Sequence, residues 1–203
     1  QIKDVGVWTD LYASGPGGVN YTGFQTTELT IVNPAPLAGG THEFRMKARN
    51  EGCPRTWNMS HIRTVKVPLM PAADMADATV CENYGITLAP VSWNNANEFQ
   101  WQIITSDVFN ENNFEDVQSS AYAARFTDYT TPNLDVSMAT YDMNGFWFRL
   151  KMKNDGCPHS WYESAPMQLT VRKQPVITGL SPMSTSVCED EVYNVTATVI
   201  DGN

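Results

Sequence analysis

Four cysteines are the residues whose spacing points most clearly to chemistry in this 203-residue chain. They fall in two motifs that alternate, Gly-Cys-Pro at 52–54 and 156–158 and Val-Cys-Glu at 80–82 and 187–189. Cysteines that recur in phase are typical of structural disulfides in an oxidising, extracytoplasmic compartment. Four cysteines allow three pairings. Zinc binding is the alternative chemistry. However, the sequence has no Cys-x-x-Cys motif, and the first Gly-Cys-Pro motif is followed by Arg55, whereas the second is followed by His159.

Catalytic residues do not converge anywhere in the sequence. The three histidines, His42, His61 and His159, are scattered and do not recur in phase with the cysteines. No Gly-x-Ser-x-Gly, His-Glu-x-x-His or glycine-rich phosphate loop is present. We therefore expect no enzymatic activity, no metal site and no tightly held cofactor in this chain.

Two tryptophans follow the Gly-Cys-Pro motifs at the same distance. Trp57 and Trp161 each come four residues after a cysteine, in GCPRTW and GCPHSW. Such a residue could form an aromatic platform for a sugar ring, or it could cover a disulfide or pack against a neighbouring domain. Because the position recurs with the repeat itself, the structural interpretation is favoured.

A row of basic residues precedes each of these motifs, and it consists of Arg45, Lys47 and Arg49 and then of Arg149, Lys151 and Lys153. The alternation places each row on one outward face of a strand. The row could bind a receptor or a polysaccharide. We expect instead that it pairs with carboxylates across strands and discourages association between strand edges.

The Asn- and acid-rich segment 110–116 is the one candidate for Ca²⁺ binding through oxygen ligands. It lacks Asp-x-Asp spacing and has no counterpart earlier in the chain, so a loop without calcium is favoured. The formal net charge of -9 argues against nucleic acid and against an anionic membrane surface as partners. No apolar run is long enough for a membrane-spanning helix.

An internal repeat organises the whole chain. FRMKARNEGCP at 44–54 and FRLKMKNDGCP at 148–158 are identical at seven of eleven positions, with an offset of 104 residues. A repeat of this length is the size of a small β-sandwich domain. Its phase predicts one complete domain at 70–173, the C-terminal part of another at 1–69, and the first strands of a third at 174–203. The Pro-containing segments 68–77 and 174–183 are interpreted as linkers.

Short runs with a period of two predict an all-β, antiparallel fold. In 145–154 one face consists of the apolar residues Phe146, Phe148, Leu150 and Met152. In 98–105 one face consists of Phe99, Trp101 and Ile103. Trp101, Phe148 and Leu150 are therefore predicted core residues. Segment 106–131 is predicted to be a long loop that leads into an edge strand over 122–131.

These features resemble immunoglobulin-like domains: a Cys opens the domain, a Trp follows in a Gln-Trp-Gln context, and a Gly-aromatic-aromatic strand leads to a second Cys. The chain is most similar to the repeated Ig-like modules of very large secreted adhesins of Bacteroidota. The resemblance implies tandem immunoglobulin-like antiparallel β-sandwich domains. It favours a Cys81–Cys157 disulfide at one end of the sandwich, with Cys53 and Cys188 bonded to partners outside this sequence. The alternative pairs Cys53 with Cys81 and Cys157 with Cys188.

The same resemblance implies a non-enzymatic stalk on the outer surface of a Gram-negative bacterium. Such a stalk would hold a binding region away from the cell, in adhesion or gliding motility, after export by type 9 secretion. Its expected partners are neighbouring Ig-like domains of the same chain, surface polysaccharide, or outer-membrane secretion and motility proteins. The alternatives are a carbohydrate-binding module, which requires an exposed Trp57, Trp161 or Trp147, and an accessory tail of a secreted hydrolase.

Overall fold

The computed structural model describes residues 1–15, 18–32, 34–53, 55–157, 160–182, 186–189 and 191–200. Over these residues the chain forms β-strands joined by turns and short 3-10 helices, without an α-helix. It divides into two compact units. One consists of Gln1–Met70 and Asn154–His159, the other of Pro71–Lys153 and Ser160–Asn203. The predicted division into three domain pieces is not tested by this and stays a prediction.

The first unit contains a four-stranded antiparallel sheet of order β2-β1-β5-β8 and two small hairpins, β3-β4 and β6-β7. Its strands are β1 Ile2–Asp4, β2 Val7–Thr9, β3 Tyr21–Thr22, β4 Thr30–Ile31, β5 Gly40–Phe44, β6 Lys47–Ala48, β7 Asn58–Met59 and β8 Arg63–Val67, with a 3-10 helix at Ala35–Leu37. Five apolar residues from these elements form its buried core: Ile2, Val19, Tyr21, Leu37 and Phe44.

The second unit contains a larger set of strands. They are β9 Ala72–Asp74, β10 Ala78–Cys81, β11 Ile86–Leu88, β12 Ser92–Asn94, β13 Glu98–Ile104, β14 Glu115–Asp116, β15 Phe126–Thr127, β16 Leu134–Val136, β17 Trp147–Lys153, β18 Tyr162–Glu163, β19 Met167–Arg172, β20 Val176–Ser181 and β21 Thr196–Ile200. Short 3-10 helices lie at Glu111–Asn113, Val117–Ser119, Ala123–Arg125 and Tyr141–Met143. Strands β20 and β21 form a hairpin of their own.

The order of these strands is that of an immunoglobulin-like sandwich. One sheet runs β10-β19-β17-β13-β14, and a second runs β11-β16-β15. Strand β10 is parallel to β19 while the other ladders are antiparallel, which matches strands A′, G, F, C and C′ of that fold. The second sheet then corresponds to strands B, E and D, and both sheets contribute to one buried core. The chain is thus an all-β, immunoglobulin-like antiparallel sandwich protein.

Alternation along β17 shows why this sequence folds as a half-buried strand. Phe148, Leu150 and Met152 are buried, whereas the residues between them are half-buried. Trp101 on β13 is fully buried beside them and donates its indole N–H to the Thr131 carbonyl at 3.0 Å. That hydrogen bond satisfies the one polar atom of the side chain, so the ring can occupy the core without an unpaired donor.

One local prediction was wrong. Segment 122–131 is not one edge strand, because a 3-10 helix occupies Ala123–Arg125 and only Phe126–Thr127 pairs with β16. Asp128 then turns the chain at a φ of 61°, which ends the strand. The segments predicted as linkers contain strands, with Ala72–Asp74 paired with β12 and Val176–Ser181 paired with β21, and their role as linkers stays a prediction. Their Pro residues lie outside the paired positions, where a missing N–H costs nothing.

The sequence repeat is also a repeat of strand pairing. Phe44 pairs with Arg63 in the first unit, and Phe148 pairs with Met167 in the second, each partner shifted by the 104 residues of the sequence repeat. The short hairpins follow the same rule, with register pairs Lys47–Met59 and Ala48–Asn58, then Lys151–Glu163 and Met152–Tyr162. The two units therefore share the strand F to strand G hairpin residue by residue.

Candidate ligand-binding surface

Identical turn geometry precedes the cysteine of each hairpin. The backbone N–H of Cys53 donates to the side-chain oxygen of Asn50 at 2.8 Å, and that of Cys157 donates to the side chain of Asn154 at 2.9 Å. All four cysteines are free thiols in the structure. The Cys81–Cys157 disulfide and the external partners of Cys53 and Cys188 therefore stay predictions.

A cluster of one tryptophan and two lysines follows this turn in the second unit. The side chains of Lys151 and Lys153 project from the same face of β17, and their Nζ atoms lie 5.3 and 4.4 Å from the Trp161 ring centroid. Attraction between an ammonium group and the indole face stabilises this arrangement. Trp161 remains 39% exposed, so part of its ring faces solvent.

The first unit has the same cluster at the equivalent positions. The Nζ of Lys47 lies 4.8 Å and the guanidinium of Arg49 lies 4.6 Å from the ring centroid of Trp57, which is 42% exposed. Lys47 also forms an ion pair with Asp10. The pKa of Asp10 is lowered from its ordinary value, mainly by the hydrogen bond from Lys47 and then by that from Gln1.

The remaining basic residue of each row, which comes first along the strand, also stacks on an aromatic ring. The guanidinium of Arg45 lies 4.1 Å from the ring centroid of Trp8, and that of Arg149 lies 4.2 Å from Phe114. Arg149 donates further to Glu163 at 2.7 Å and to Gln102 at 2.8 Å. Arg149 thus forms a cross-strand ion pair of the kind expected for the basic rows, and both arginines have aromatic partners that the sequence did not reveal.

An aromatic patch continues this surface on the second unit. Phe109 packs edge-on against Phe114 and against Trp147, with ring centroids 6.2 and 5.1 Å apart. The side chain of Trp147 is half-buried, and its indole N–H donates to the Asp107 carbonyl at 3.3 Å. Phe109 is 44% exposed. Segment 106–114 thus brings apolar rings alongside the basic face of β17.

The structure describes two of the three histidines and the whole of segment 110–116. His42 is half-buried with Nε2 2.9 Å from the Leu37 carbonyl, His61 is exposed, and His159 lies outside the described residues. The Asn110 side chain accepts from the Asn112 backbone N–H, which closes a turn inside segment 110–116. Among the residues that the structure describes, no three His, Cys, Asp or Glu side chains are grouped to hold a metal ion. Over the same residues no helix is both long and apolar enough to span a membrane.

Comparison with known proteins gives structural neighbours only. No protein-family model and no curated protein sequence matches the chain. Among solved structures, the chain is similar to the N-terminal four Ig domains of Dscam1 isoform 1.9, with 13% identity, a TM-score of 0.40, and coverage of 80% of this chain and 40% of that one. It is also similar to a chicken TCR, with 9% identity, a TM-score of 0.39, and coverage of 54% of each chain. The chain thus spans about half or less of the length of these neighbours.

Proposed function

We propose that this chain is a stalk segment of a repetitive, non-enzymatic cell-surface adhesin, which holds a binding region away from the cell. One observation supports this proposal above the others. The strand F to strand G hairpin recurs with the same register, the same turn and the same surface contacts after 104 residues. Repetition of this hairpin suits a spacer built from similar modules.

The proposal extends to the setting of the parent protein. Immunoglobulin-like sandwiches are common among cell-surface domains. The similarity to Bacteroidota modules supports an extracellular position on a Gram-negative bacterium, export by type 9 secretion, and a part in adhesion and gliding. The partners we propose are neighbouring Ig-like domains of the same chain, together with surface polysaccharide or outer-membrane motility proteins. Fold similarity by itself does not determine such roles, so they require a direct test.

Electron microscopy of the intact parent protein provides that test. A stalk should give particles in which successive domains follow one another along a stiff, measurable contour. Its persistence length should exceed the length of a single domain. A collapsed or freely jointed chain of domains would contradict the stalk function, whatever ligand the surface binds.

A second candidate function, a carbohydrate-binding module, is favoured by the exposure of two tryptophans. Trp57 and Trp161 are 42% and 39% exposed. Loss of glycan binding on Trp161→Ala would support this function. Unchanged glycan binding in that variant would show that Trp161 does not take part in this function.

A further inference from the structure

The Trp161 cluster contains a lysine, Lys151, that has no ion pair with the described residues. Across the ladder, Lys151 faces Glu163, but Glu163 forms its ion pair with Arg149 at 2.7 Å. Lys153 pairs with Glu98 at 2.9 Å. Within the described part of the chain, Lys151 has no carboxylate partner, and its ammonium group rests on the Trp161 ring alone.

The positive charge of Lys151 contrasts with the negative net charge of the whole protein. The chain has a formal net charge of -9, so its surface in general repels polyanions. The lysines are also partly removed from water, with Lys153 only 17% exposed at its side chain. An anion that binds beside such a group is attracted more strongly than one beside a fully hydrated lysine. The cluster is therefore suited to an acidic group.

The indole ring of Trp161 indicates which class of molecule should carry that acidic group. An exposed indole face binds flat, apolar surfaces, and the pyranose ring of a sugar presents such a face. In a uronic acid the carboxylate is attached directly to that rigid ring. One sugar unit can therefore cover Trp161 and reach the Lys151 ammonium, which lies 5.3 Å from the indole centroid. A peptide carboxylate sits on a flexible side chain and would lose more conformational entropy on binding.

We propose that this basic and aromatic face, composed of Arg149, Lys151, Lys153 and Trp161, binds an acidic polysaccharide. Its carboxylate or sulfate groups contact the two lysines, and one of its sugar rings covers Trp161. The cluster of Lys47, Arg49 and Trp57 has the equivalent place in the first unit, but Lys47 is ion-paired with Asp10, so the proposed site is that of the second unit. This inference names a ligand class for the second candidate function, and it does not depend on the stalk.

Titration calorimetry on the complete chain tests the proposal with four probes. These are polygalacturonate, dextran sulfate, unmodified dextran and poly-L-glutamate. We expect one or both acidic polysaccharides to bind, and the affinity to fall as salt is raised because the attraction is electrostatic. The probe that binds more tightly distinguishes carboxylate from sulfate. Equal or tighter binding of poly-L-glutamate, or no binding of either acidic polysaccharide, would overturn the proposal. Binding of dextran alone would keep a carbohydrate-binding module but refute an acidic ligand.

Matched variants locate the binding site. Lys151→Gln and Trp161→Ala should each weaken binding by about fivefold or more, since single cation–π and charge contacts at partly desolvated sites have this strength. The controls are Lys66→Gln, an exposed lysine on β8, and Trp93→Ala, a 45% exposed tryptophan on β12. Equal effects of the controls and the site variants would overturn the assignment. If Trp161→Ala lowers the thermal midpoint, Lys151→Gln and Lys153→Gln decide the outcome.

For one more variant we predict the direction in which the affinity changes. Glu98→Gln removes the carboxylate that forms an ion pair with Lys153. It should therefore raise the affinity for the acidic polysaccharide, while affinity for a neutral glycan should not change. A lower affinity for the acidic polysaccharide in this variant would contradict the placement of the ligand on Lys153.

Discussion

The Nζ of Lys153 lies 4.4 Å from the ring centroid of Trp161. Its counterpart Arg49 lies 4.6 Å from the ring centroid of Trp57. Both contacts join the end of a strand, β17 or β6, to the residue just before the short strand that pairs with it, β18 or β7. They recur because the hairpin register recurs, and the two units should therefore respond alike to equivalent substitutions.

Equivalent serines provide the sharpest test of that likeness. The Ser60 hydroxyl accepts from the Met46 N–H at 2.8 Å, and the Ser164 hydroxyl accepts from the Leu150 N–H at 3.0 Å. Ser60→Ala and Ser164→Ala each leave one backbone N–H unpaired, and each should cost about 1 kcal/mol. Amide hydrogen exchange should accelerate at Met46 in the first variant and at Leu150 in the second. Unchanged protection at either amide would show that the two hairpins differ.

Core substitution tests the sandwich itself. Phe148 is fully buried between the sheets, so Phe148→Ala should lower the free energy of unfolding by about 3–5 kcal/mol. Phe109 is 44% exposed, and Phe109→Ala should cost less than about 1 kcal/mol. Denaturant unfolding of both variants measures the difference. Similar losses from the two would contradict the assignment of β17 to the core.

The pKa of Asp10 should depend on Lys47. The Lys47 hydrogen bond is the largest cause that lowers this pKa from its ordinary value of 3.8, and the Gln1 hydrogen bond is the second. Because the folded pKa is lowered, the stabilisation is present above the unfolded pKa and is lost as pH falls through the folded pKa. Lys47→Gln should raise the Asp10 pKa toward 3.8 in an NMR titration, and Lys66→Gln should not. A pKa that does not move in Lys47→Gln would exclude the ion pair in solution.

The cysteine pairing is open to direct measurement. The four thiols are free in the structure, and a Cys81–Cys157 disulfide after oxidation stays a prediction. A bridge that closes so long a loop would stabilise its domain by about 4 kcal/mol in the chain-entropy account. Peptide mapping without reduction, on protein secreted into an oxidising compartment, should recover a Cys81–Cys157 peptide. Recovery of a Cys53–Cys81 peptide instead would favour the linker-clamping alternative.

Much of the sandwich could be predicted from the sequence because it depends on local alternation. Phe148, Leu150 and Met152 lie in a run whose period of two allows only one buried face. The weaker elements escaped prediction because they depend on distant partners. Strand β14 has two residues and exists through pairing with Gln102 and Ile103 of β13.

The candidate surface could be predicted only in part. The position of Trp161 after the turn was evident, and so was the outward alternation of the basic row. The contact between them was not, because it follows from the register that pairs Lys151 with Glu163. The stacking of Arg149 on Phe114 was even harder to predict, because segment 106–114 has no periodic pattern of apolar residues. A rule that searches for aromatic residues opposite a basic strand face would have found Trp161 but not Phe114.

Small-angle X-ray scattering of the 203-residue chain tests the proposed stalk function most directly. A compact single globule of this length would have a radius of gyration of about 17 Å. We predict a value well above this, with the long tail in the pair-distance distribution that successive domains produce. A radius near that of the compact globule, with a symmetric distribution, would contradict the stalk.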